Sequence, residues 1–305
     1  MTKTPQISVV IGTFNQAAKL NLVLNGFARQ TLAKDAFEVL VADSCSTDDT
    51  RTICEAFKAD MALTYLCIQN QGKAKARNLA AQQASGAVLF LTDADMVPAP
   101  DLLEEHLKAH GRLSTLAMFE GLTFNLKTET LPADQAIKSP YITRYLRSGQ
   151  RLGFYYFLSG NLSLPRDVFL QHGGFDERFT GYGWEDIELG YRLVRLGRVP
   201  LCYLPEAVNY HYHVLADEEE IHRAVAKGVA ALTVLKLHPE LRSFLGLDPW
   251  LLRFWQWLDR PVWEQKAWKQ FREGGALARR LVKWCLMEIY YRRGARQGMK
   301  AEVRR

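Results

Sequence analysis

Short apolar runs alternate four times with helical segments in the first 95 residues, and this alternation constrains the fold more than any other feature. The apolar runs occupy residues 7–14, 37–43, 62–68 and 87–95, and β-branched and aromatic residues are frequent in them. Strands that alternate with helices pair in parallel, because each helix carries the chain back across one face of the sheet. The sequence therefore predicts a parallel, doubly wound α/β sheet.

Polar residues stand at the ends of three of these predicted strands. Thr13 ends the first strand, Asp43 ends the second, and Asp93 and Asp95 end the fourth. Ligands of doubly wound sheets bind beyond the carboxyl ends of the strands, so we expect these side chains to share one crevice. Carboxylates that are crowded together raise each other's pKa unless a cation or a group with N–H donors accompanies them.

Asp93 and Asp95 are separated by one residue, and strand alternation would place both side chains on the same side of the chain. Two exposed carboxylates favour a hard divalent cation, which then bridges phosphate oxygens. A second interpretation stays open, because a helix is predicted to begin nearby, after residue 100, and the carboxylates would then cap that helix.

Basic residues open the helix that is predicted over residues 71–85. Lys73, Lys75 and Arg77 lie in its first turns, where positive charge opposes the helix dipole. An anion bound nearby would resolve this conflict, and a solvated basic face is the alternative interpretation. The segment does not contain the G-x-x-x-x-G-K-[ST] pattern of a phosphate-binding P-loop.

Two adjacent acids, Glu185 and Asp186, follow the loop of glycine and aromatic residues at 180–184 and begin another predicted helix. Acids at this position stabilise the helix dipole and cap the helix, but one acid is enough for that purpose. The second would be available to face a cleft as a general base, and both interpretations remain open. On the same helix, Glu188 and Arg192 are predicted to form an exposed i,i+4 pair.

Two pairs of histidines have different predicted settings. His211 and His213 alternate on a strand predicted over residues 201–214, and imidazole joins carboxylates around Mn²⁺, so one of them is a candidate third metal ligand. His106 and His110 are four residues apart on a predicted helix. The segment between them lacks the glutamate of the H-E-x-x-H zinc motif, and we expect both side chains at the surface.

The formal net charge of +6 comes from the C-terminal part of the chain. From residue 251 onward there are 14 Lys and Arg residues against 5 Asp and Glu residues, and the pattern has been helical since about residue 217. Six tryptophans lie from residue 250 onward: Trp250, Trp255, Trp257, Trp263, Trp268 and Trp284. Basic helices with aromatic faces can lie on anionic lipid, which predicts a peripheral membrane contact through residues 240–305. Packing of these tryptophans within the protein is the alternative.

The five cysteines are scattered and form no C-x-x-C pair, so we expect reduced thiols and neither a disulfide framework nor a zinc knuckle. No stretch approaches the roughly 20 apolar residues of a membrane span, and residues 1–16 do not resemble a signal peptide. We therefore expect a cytoplasmic chain, on the inner face of the cytoplasmic membrane if the tail binds lipid. No nucleic-acid-binding motif occurs, so nucleic acid is not an expected partner.

Seven motifs occur in an order that resembles the family 2 glycosyltransferases with the GT-A fold. They are SVVIGTFNQ (8–16), VLVADSCSTDDT (39–50), QGKAKARNLAAQQASG (71–86), VLFLTDAD (88–95), SGNLSLPRDVF (159–169), GGFDERFTGYGWEDIELGYRL (173–193) and YHYH (210–213). The later motifs are similar to the C-terminal segment of galactosyltransferases and N-acetylgalactosaminyltransferases, as in chondroitin-polymerase-like domains. The resemblance implies a Rossmann-like, doubly wound mixed sheet in a catalytic domain at 1–215, followed by a helical extension at 216–305.

The resemblance also implies which residues bind the nucleotide. Thr13 and Asn15 match the first nucleotide-binding loop, and Asp43 matches the acid that contacts uracil. Gly72 and Arg77 match the segment that lines the nucleotide.

Further roles follow from the same resemblance. Asp95 matches the main ligand of the divalent cation, Mn²⁺ or Mg²⁺, with Asp93 nearer the ribose and His211 as a distal ligand. Asp186 matches the catalytic base of the inverting members. Trp184 and Glu185 match positions that bind substrate on the acceptor side. Asn161 matches a further position that binds substrate.

The implied activity is inverting, metal-dependent transfer of a sugar from a nucleotide-diphosphate sugar, expected to be a UDP-sugar, to a hydroxyl of a glycan or lipid-linked acceptor. The chain departs from the family pattern at Gly12, where proline is usual, and at Ser44, where a second acid is usual. One alternative is a nucleotidyltransferase on a similar sheet, but its glycine-rich, basic first loop is lacking here. The other is a non-catalytic membrane-surface or scaffold protein.

Overall fold

A computed structural model gives the structure of the chain. It describes residues 4–69, 72–112, 116–126, 136–138, 146–212 and 216–303. The chain divides into two compact units, which we call the sheet unit (Met1–Thr180 and Glu185–Val214) and the helical unit (Gly181–Trp184 and Leu215–Arg305). His213, one of the two histidines considered as a metal ligand, lies outside the described residues.

The sheet unit contains the strands. In the described residues they are β1 (Ile7–Thr13), β2 (Phe37–Asp43), β3 (Leu63–Cys67), β4 (Val88–Asp93), β5 (Met96–Pro98), β6 (Met118–Leu126), β7 (Ala136–Lys138), β8 (Leu162–Pro165) and β9 (Leu201–His211). Its helices are α1 (Ala17–Ala28), α2 (Thr50–Phe57), α3 (Lys73–Gln83), α4 (Leu102–Arg112), α5 (Arg166–Gln171) and α6 (Glu185–Tyr191). A π-helical segment, Arg192–Leu196, continues α6.

The strands form one mixed sheet in the order β3-β2-β1-β4-β8-β6-β9-β5, with β7 paired to β6. Strands β1 to β4 pair in parallel, as the alternation predicts. Strand β8 is antiparallel to both β4 and β6, β9 is parallel to β6, and β5 is antiparallel to β9. The mixed sheet that the resemblance implies is therefore confirmed, and the all-parallel expectation holds for the first four strands.

Both faces of the sheet are covered, which explains why the predicted strands are apolar throughout. Every residue of β1 is buried. Ile7, Val9 and Ile11 contribute to a hydrophobic cluster shared with α1, whereas Val10 contributes to a cluster on the other face shared with α3. This division follows from the alternation of side chains along a strand.

The helical unit consists of α7 (Asp217–Leu237), α8 (Pro249–Leu258), α9 (Pro261–Glu273) and α10 (Ala276–Val303), together with the short segment 181–184. Helices α7 and α10 lie against each other at Gly228 and Gly294. A Cβ atom at either glycine would collide with backbone atoms of the other helix, so only glycine permits this close approach. Among the described residues, no helix has the length and apolar character needed to cross a bilayer.

Candidate active site

The strand register brings the predicted site residues to one edge of the sheet. Thr13, the last residue of β1, lies opposite Asp43, the last residue of β2. Gly12 lies opposite Asp93, the last residue of β4. The predicted convergence of strand ends is thus observed, because parallel neighbours in register end together.

Asp93 is held by two cations from the first turns of α3. Its Oδ1 atom accepts from Lys73 Nζ at 2.7 Å and from Arg77 Nη2. Burial would raise the pKa of Asp93, but the positive charges of Lys73 and Arg77 outweigh burial and lower that pKa to about 2. The basic start of α3, which opposes its own helix dipole, therefore serves as the counter-charge of this carboxylate.

Arg77 also contacts the second group of acids. Its side chain is completely buried, and its Nη1 atom lies 3.7 Å from Asp186 Oδ1 at the start of α6. The other oxygen of Asp186 accepts from the backbone N–H of Ser159 at 3.3 Å. One guanidinium thus joins Asp93 and Asp186, although they are 93 positions apart in the sequence. Gly12 leaves room for it, since a Cβ there would lie 3.2 Å from Arg77 Nε.

Several polar atoms in this crevice are buried without a hydrogen-bond partner. They are Arg77 Nε, Arg77 Nη1, Glu185 Oε2, Asp186 Oδ1, Thr13 Oγ1 and Ser159 Oγ. Burial, and then the neighbouring Asp186, raises the pKa of Glu185. Because buried polar groups are normally hydrogen-bonded, such a concentration indicates a place where a ligand binds. We call the set Lys73, Arg77, Asp93, Glu185 and Asp186 the site cluster.

Asp95 takes a different partner from Asp93. Strand β4 ends at Asp93, and the chain turns into β5, which pairs with β9 so that Met96 lies opposite His211. His211 Nε2 lies 3.6 Å from Asp95 Oδ2, and Asn125 Oδ1 lies 3.1 Å from His211 Nδ1. In the tautomer that carries its proton on Nδ1, His211 would donate a hydrogen bond to the amide oxygen of Asn125 and turn Nε2 toward Asp95.

The sequence did not single out Asn125, although such an orienting partner is what a metal-binding histidine requires. In the part of the chain that the structure describes, no group of three or more His, Cys, Asp or Glu residues is arranged to hold a metal ion. Asp95 and His211 are thus two ligand candidates, while Asp93 Oδ1 is engaged by Lys73 and Arg77.

The residues predicted to bind the nucleotide form a connected loop region. Asp43 is completely buried and accepts from Ser46 Oγ and Tyr65 Oη, both at 2.6 Å. Asn15 donates its backbone N–H to Ser46 Oγ at 2.8 Å and accepts from the N–H of Thr47 at 2.8 Å. These contacts tie the loop after β1 to the loop after β2. Uracil contact by Asp43 stays a prediction.

Tyr65 was not selected from the sequence. It lies on β3, two residues before the last residue of the strand, Cys67. Alternation places the side chains of both residues on the same face of the sheet, and this was the feature of the sequence that could have indicated Tyr65.

Gly72 adopts a φ of 89°, a conformation that favours glycine. A Cβ at this position would also lie 3.2 Å from the Cα of Thr180. Glycine therefore lets the start of α3 approach the segment that leads toward Glu185.

Trp184 belongs to the helical unit. Its indole Nε1 donates to the carbonyl oxygen of Lys227 at 2.9 Å, and its ring lies 6.1 Å from Phe244 and 6.3 Å from Tyr291. It has a φ of 74°, which is rare for a residue with a side chain. These contacts within the helical unit engage the indole, and a role at the acceptor side stays a prediction.

The predicted surface position of His106 and His110 is wrong. His106 is completely buried, with Nδ1 2.8 Å from Ser163 Oγ and Nε2 3.0 Å from Asn161 Oδ1. His110 Nε2 lies 2.9 Å from the same hydroxyl of Ser163. Burial lowers the pKa of His106 to about 4. The polar groups of β8 provide partners inside the fold that the sequence pattern of α4 did not reveal.

Asn161 is fully buried in the same network. Its Nδ2 donates to Leu122 O at 3.2 Å and to Ala207 O at 3.0 Å. Both amide protons and one acceptor position are therefore used within the sheet unit. A substrate contact by Asn161 stays a prediction that this burial does not favour.

Glu188 and Arg192 form the predicted i,i+4 pair, but the expected exposure is wrong. Glu188 is 1% exposed and accepts from Arg192 Nε at 2.7 Å and from Nη2 at 2.8 Å. Arg192 Nη2 also donates to Gly174 O at 2.6 Å. Burial is tolerated because the two charges and a backbone carbonyl satisfy each other.

The sheet topology, with acids at its strand ends, defines the class of fold. The mannosyltransferase PcManGT from Pyrobaculum calidifontis, solved with GDP-Man and Mn²⁺, is similar with a TM-score of 0.62 and 20% identity over 98% of this chain and 88% of that one. S. aureus TarS 1–349, solved with UDP-GlcNAc, is similar with a TM-score of 0.59 and 17% identity, and the match covers 97% of this chain and 92% of that one. These similarities show the GT-A fold, and the implied fold is confirmed.

The sequence comparisons then show the family. The model of glycosyl transferase family 2 matches residues 8–172, and that of the N-terminal domain of galactosyltransferase matches residues 145–214. Validoxylamine A glucosyltransferase of Streptomyces hygroscopicus subsp. jinggangensis is 30% identical in an alignment 304 positions long, which covers 86% of this chain and 70% of that protein. The chain belongs to glycosyl transferase family 2.

Proposed function

We propose that this chain transfers a sugar from a nucleotide-diphosphate sugar, a UDP-sugar, to a hydroxyl group of a glycan or lipid-linked acceptor, with inversion at the anomeric carbon. One observation carries the proposal: the buried guanidinium of Arg77 contacts both Asp93 and Asp186. The proposed general base, Asp186, and the acid at the end of β4, Asp93, therefore lie in one crevice of the sheet unit.

Asp186 acts as the base in this proposal. The backbone N–H of Ser159 orients one of its oxygens, while the other has no hydrogen-bond partner. An acceptor hydroxyl is a poor nucleophile, and a carboxylate that removes its proton during attack accelerates the reaction. Attack opposite the departing diphosphate inverts the configuration.

Lys73 and Arg77 act on the leaving group. Their positive charges and N–H donors lie beside the strand-end acids, and two donor atoms of Arg77 have no hydrogen-bond partner in the crevice. Charge that develops on the departing diphosphate is stabilised by donors that are already in position.

The residues beside the crevice fit a divalent cation, Mn²⁺ or Mg²⁺. Two ligands that are each about 2.1 Å from one ion lie roughly 3 to 3.5 Å apart, and Asp95 Oδ2 and His211 Nε2 are separated by 3.6 Å. Diphosphate oxygens commonly complete the coordination of such ions. When bound, the cation would neutralise negative charge on the diphosphate. The Mn²⁺ complex of PcManGT supports this assignment.

The assignment of a UDP-sugar is supported by a similar solved structure that contains one. TarS was solved with UDP-GlcNAc, but PcManGT was solved with GDP-Man. The name of the Streptomyces relative describes glucosyl transfer to validoxylamine A. We assign the chemistry to a catalytic domain at residues 1–215 and place the reaction in the cytoplasm, as the sequence predicts.

A donor screen tests the proposal. Release of UDP or GDP is measured with a panel of nucleotide sugars in the presence of Mn²⁺, with EDTA as the metal-free arm. We expect Asp186→Asn to bind donor but to lose about 10²- to 10⁴-fold in turnover. Asp95→Asn should weaken activity and shift its dependence to higher Mn²⁺ concentration. Asp167→Asn is the matched control, because it makes the same change in the exposed first turn of α5.

Normal turnover in Asp186→Asn would remove its role as the base. If no nucleotide sugar is hydrolysed or transferred, the same preparation is assayed with a sugar 1-phosphate and nucleoside triphosphates. Product in that assay would favour the nucleotidyltransferase alternative. Absence of product in both assays would favour the non-catalytic alternative.

A further inference from the structure

Helix α8 exposes an apolar stripe. Trp250, Phe254 and Trp257 are 69%, 50% and 54% exposed, and their i, i+4, i+7 spacing places them on one face of the helix. Arg253 is exposed and lies three residues after Trp250 and four before Trp257, at the edge of the same face.

Helix α10 repeats this pattern in its first three turns. Leu277, Leu281 and Trp284 are 75%, 58% and 56% exposed at the same i, i+4, i+7 spacing. Arg280 is exposed and occupies the position that corresponds to Arg253 in α8. Two helices of one unit therefore present the same arrangement of three large apolar residues and one arginine.

The two stripes adjoin each other. Trp255 is buried in the core of the helical unit, and its ring lies 5.7 Å from that of Trp284 and 5.6 Å from that of Phe254. Two further exposed residues, Val262 and Trp263, begin α9 between these helices in the chain. We call the exposed set the tryptophan face: Trp250, Phe254, Trp257, Val262, Trp263, Leu277, Leu281 and Trp284.

The charged residues around the tryptophan face are almost all positive. The exposed ones in residues 249–284 are Arg253, Arg260, Lys266, Lys269, Arg272, Arg279 and Arg280, against one acid, Glu273. Arg272 pairs with Glu218, so six cations remain. Lys266 lies 5.2 Å from the ring of Trp263, which places a cation at the face itself.

This charge decides between occupants. Exposed apolar stripes on adjoining helices are the kind of surface that marks an interaction site. A second copy of the chain would present the same cations, and a two-fold interface would bring like charges together. An anionic bilayer supplies the opposite charge, and tryptophan with Lys and Arg is the composition that favours the headgroup region.

We infer that the tryptophan face binds the surface of an anionic lipid bilayer, with the apolar side chains in the headgroup region and the surrounding cations against lipid phosphates. This inference concerns the helical unit alone and stands whether or not the sheet unit transfers sugars. It identifies eight side chains within the tail that the sequence marked as basic and tryptophan-rich.

Vesicle co-sedimentation tests the inference with the full chain. Vesicles of phosphatidylcholine are compared with vesicles that contain 30% phosphatidylglycerol, at low and high salt. We expect binding to the anionic vesicles to be stronger by about tenfold or more, and to weaken as salt rises. Equal binding to both kinds of vesicle, or none, would overturn it.

Two pairs of substitutions locate the binding surface. Trp257→Glu with Trp284→Glu removes apolar contact, and Arg253→Glu with Arg280→Glu reverses charge; each pair should reduce vesicle binding by about tenfold or more. The matched controls lie in the sheet unit: Leu196→Glu, whose side chain is 61% exposed, and Arg29→Glu with Arg51→Glu, which are exposed. The controls should bind as the parent chain does.

Light scattering and the thermal midpoint of unfolding are recorded for every variant to detect aggregation and misfolding. If one pair of substitutions prevents folding, the other pair still tests the inference. Binding that survives both pairs of substitutions would overturn the inference. A second result would also overturn it: the parent chain does not bind vesicles but forms a dimer, and the tryptophan substitutions dissociate that dimer. This result would assign the face to a second copy of the chain.

Discussion

Each unit of the protein contains a partly buried cluster of acids and arginines, and the two clusters use their hydrogen-bonding capacity differently. In the site cluster, Asp93, Glu185 and Asp186 face the cations Lys73 and Arg77. Acids outnumber cations there, and atoms of Arg77, Glu185 and Asp186 lack a hydrogen-bond partner.

The cluster of the helical unit is more fully paired. Arg293 Nη2 donates to Asp259 Oδ1 and to Glu264 Oε2, both at 2.6 Å, and Tyr290 Oη donates to Glu264 at 2.6 Å. Arg296 also pairs with Asp259, and its Nη1 atom is the one side-chain atom of these five residues that is buried without a hydrogen-bond partner. The hydrogen bond from Arg293 lowers the pKa of Glu264, whereas burial raises the pKa of Glu185.

The comparison teaches that the same residue types serve two purposes, and that the hydrogen bonding of their buried atoms distinguishes the two. A network whose carboxylate oxygens are all hydrogen-bonded positions helices, whereas one in which acids and cations both keep unsatisfied buried atoms retains capacity for a ligand. Substitutions in the site cluster should therefore change activity more than stability, and substitutions in the helical cluster should do the reverse.

Of the substitutions that test this comparison, Arg77→Lys has the largest expected effect. A lysine retains the charge but cannot contact Asp93 and Asp186 with separate nitrogens, so we expect turnover to fall by about 10² to 10³. Steady-state kinetics with the best donor of the screen measure this effect. Lys75→Arg is the matched control, because this neighbour on α3 forms no part of the site cluster. Unchanged turnover in Arg77→Lys would break the comparison.

Arg293→Met should show the opposite pattern. It leaves Asp259 and Glu264 without their shared cation, and we expect the free energy of unfolding to fall by about 3 kcal/mol. This value is at the lower end of the range for breaking a buried ion pair, because the Arg293 side chain is 26% exposed. Urea unfolding measures this loss, and turnover of the folded fraction should stay within about twofold. A loss of turnover without a loss of stability would contradict the structural role.

His106 provides a third case, a buried titratable group that is satisfied without charge. Its pKa is about 4 in the folded chain and about 6.5 when unfolded, so the unfolded chain takes up a proton first as pH falls. The resulting stability is present above pH 6.5 and is lost as pH falls toward 4.

Between pH 7 and pH 5 we expect this histidine to remove about 2 kcal/mol from the free energy of unfolding. Urea unfolding of the parent chain and of His106→Gln at pH 7, 6 and 5 measures the difference. The variant should be less sensitive to acid by that amount. Parallel pH profiles of the two proteins would contradict the buried, uncharged state of His106.

The smallest expected effect is that of Tyr65→Phe. Asp43 would lose one of its donors while Ser46 remains, and we expect a stability loss of about 1 to 1.5 kcal/mol. The donor KM decides the assignment of Asp43. An unchanged donor KM would mean that Asp43 is a fully hydrogen-bonded group that only holds the loop. A donor KM that rises more than about tenfold would mean that Asp43 contacts the nucleotide.

Parts of the site were predictable because parallel strands end at the same edge of a sheet. Thr13, Asp43 and Asp93 required only the alternation of strands and helices and the position of each polar residue after an apolar run. Asp95 was a candidate on the same ground, and Asp186 was a candidate base from its place behind a helix-capping acid, but the roles of main metal ligand and catalytic base required the resemblance to a family.

Other assignments failed because they depended on contacts between distant segments. The side-chain alternation that placed Asp93 beside Asp95 ends with β4, and pairing of β5 with β9 gives Asp95 the partner His211 instead. His106 was expected at the surface because the polar interior of β8 is not visible in the sequence of α4. Glu188 was expected at the surface because its pair with Arg192 resembles an ordinary exposed pair.

The sequence by itself determined the local elements: which runs form strands, which segments form helices, and which polar residues stand at strand ends. These follow from periodicity and residue type, which act over a few neighbouring residues. Only the tertiary structure decided that β8, β6, β9 and β5 extend the sheet, that Arg77 joins Asp93 to Asp186, and which tryptophans remain exposed. Those outcomes depend on contacts between residues far apart in the chain, and no local pattern specifies them.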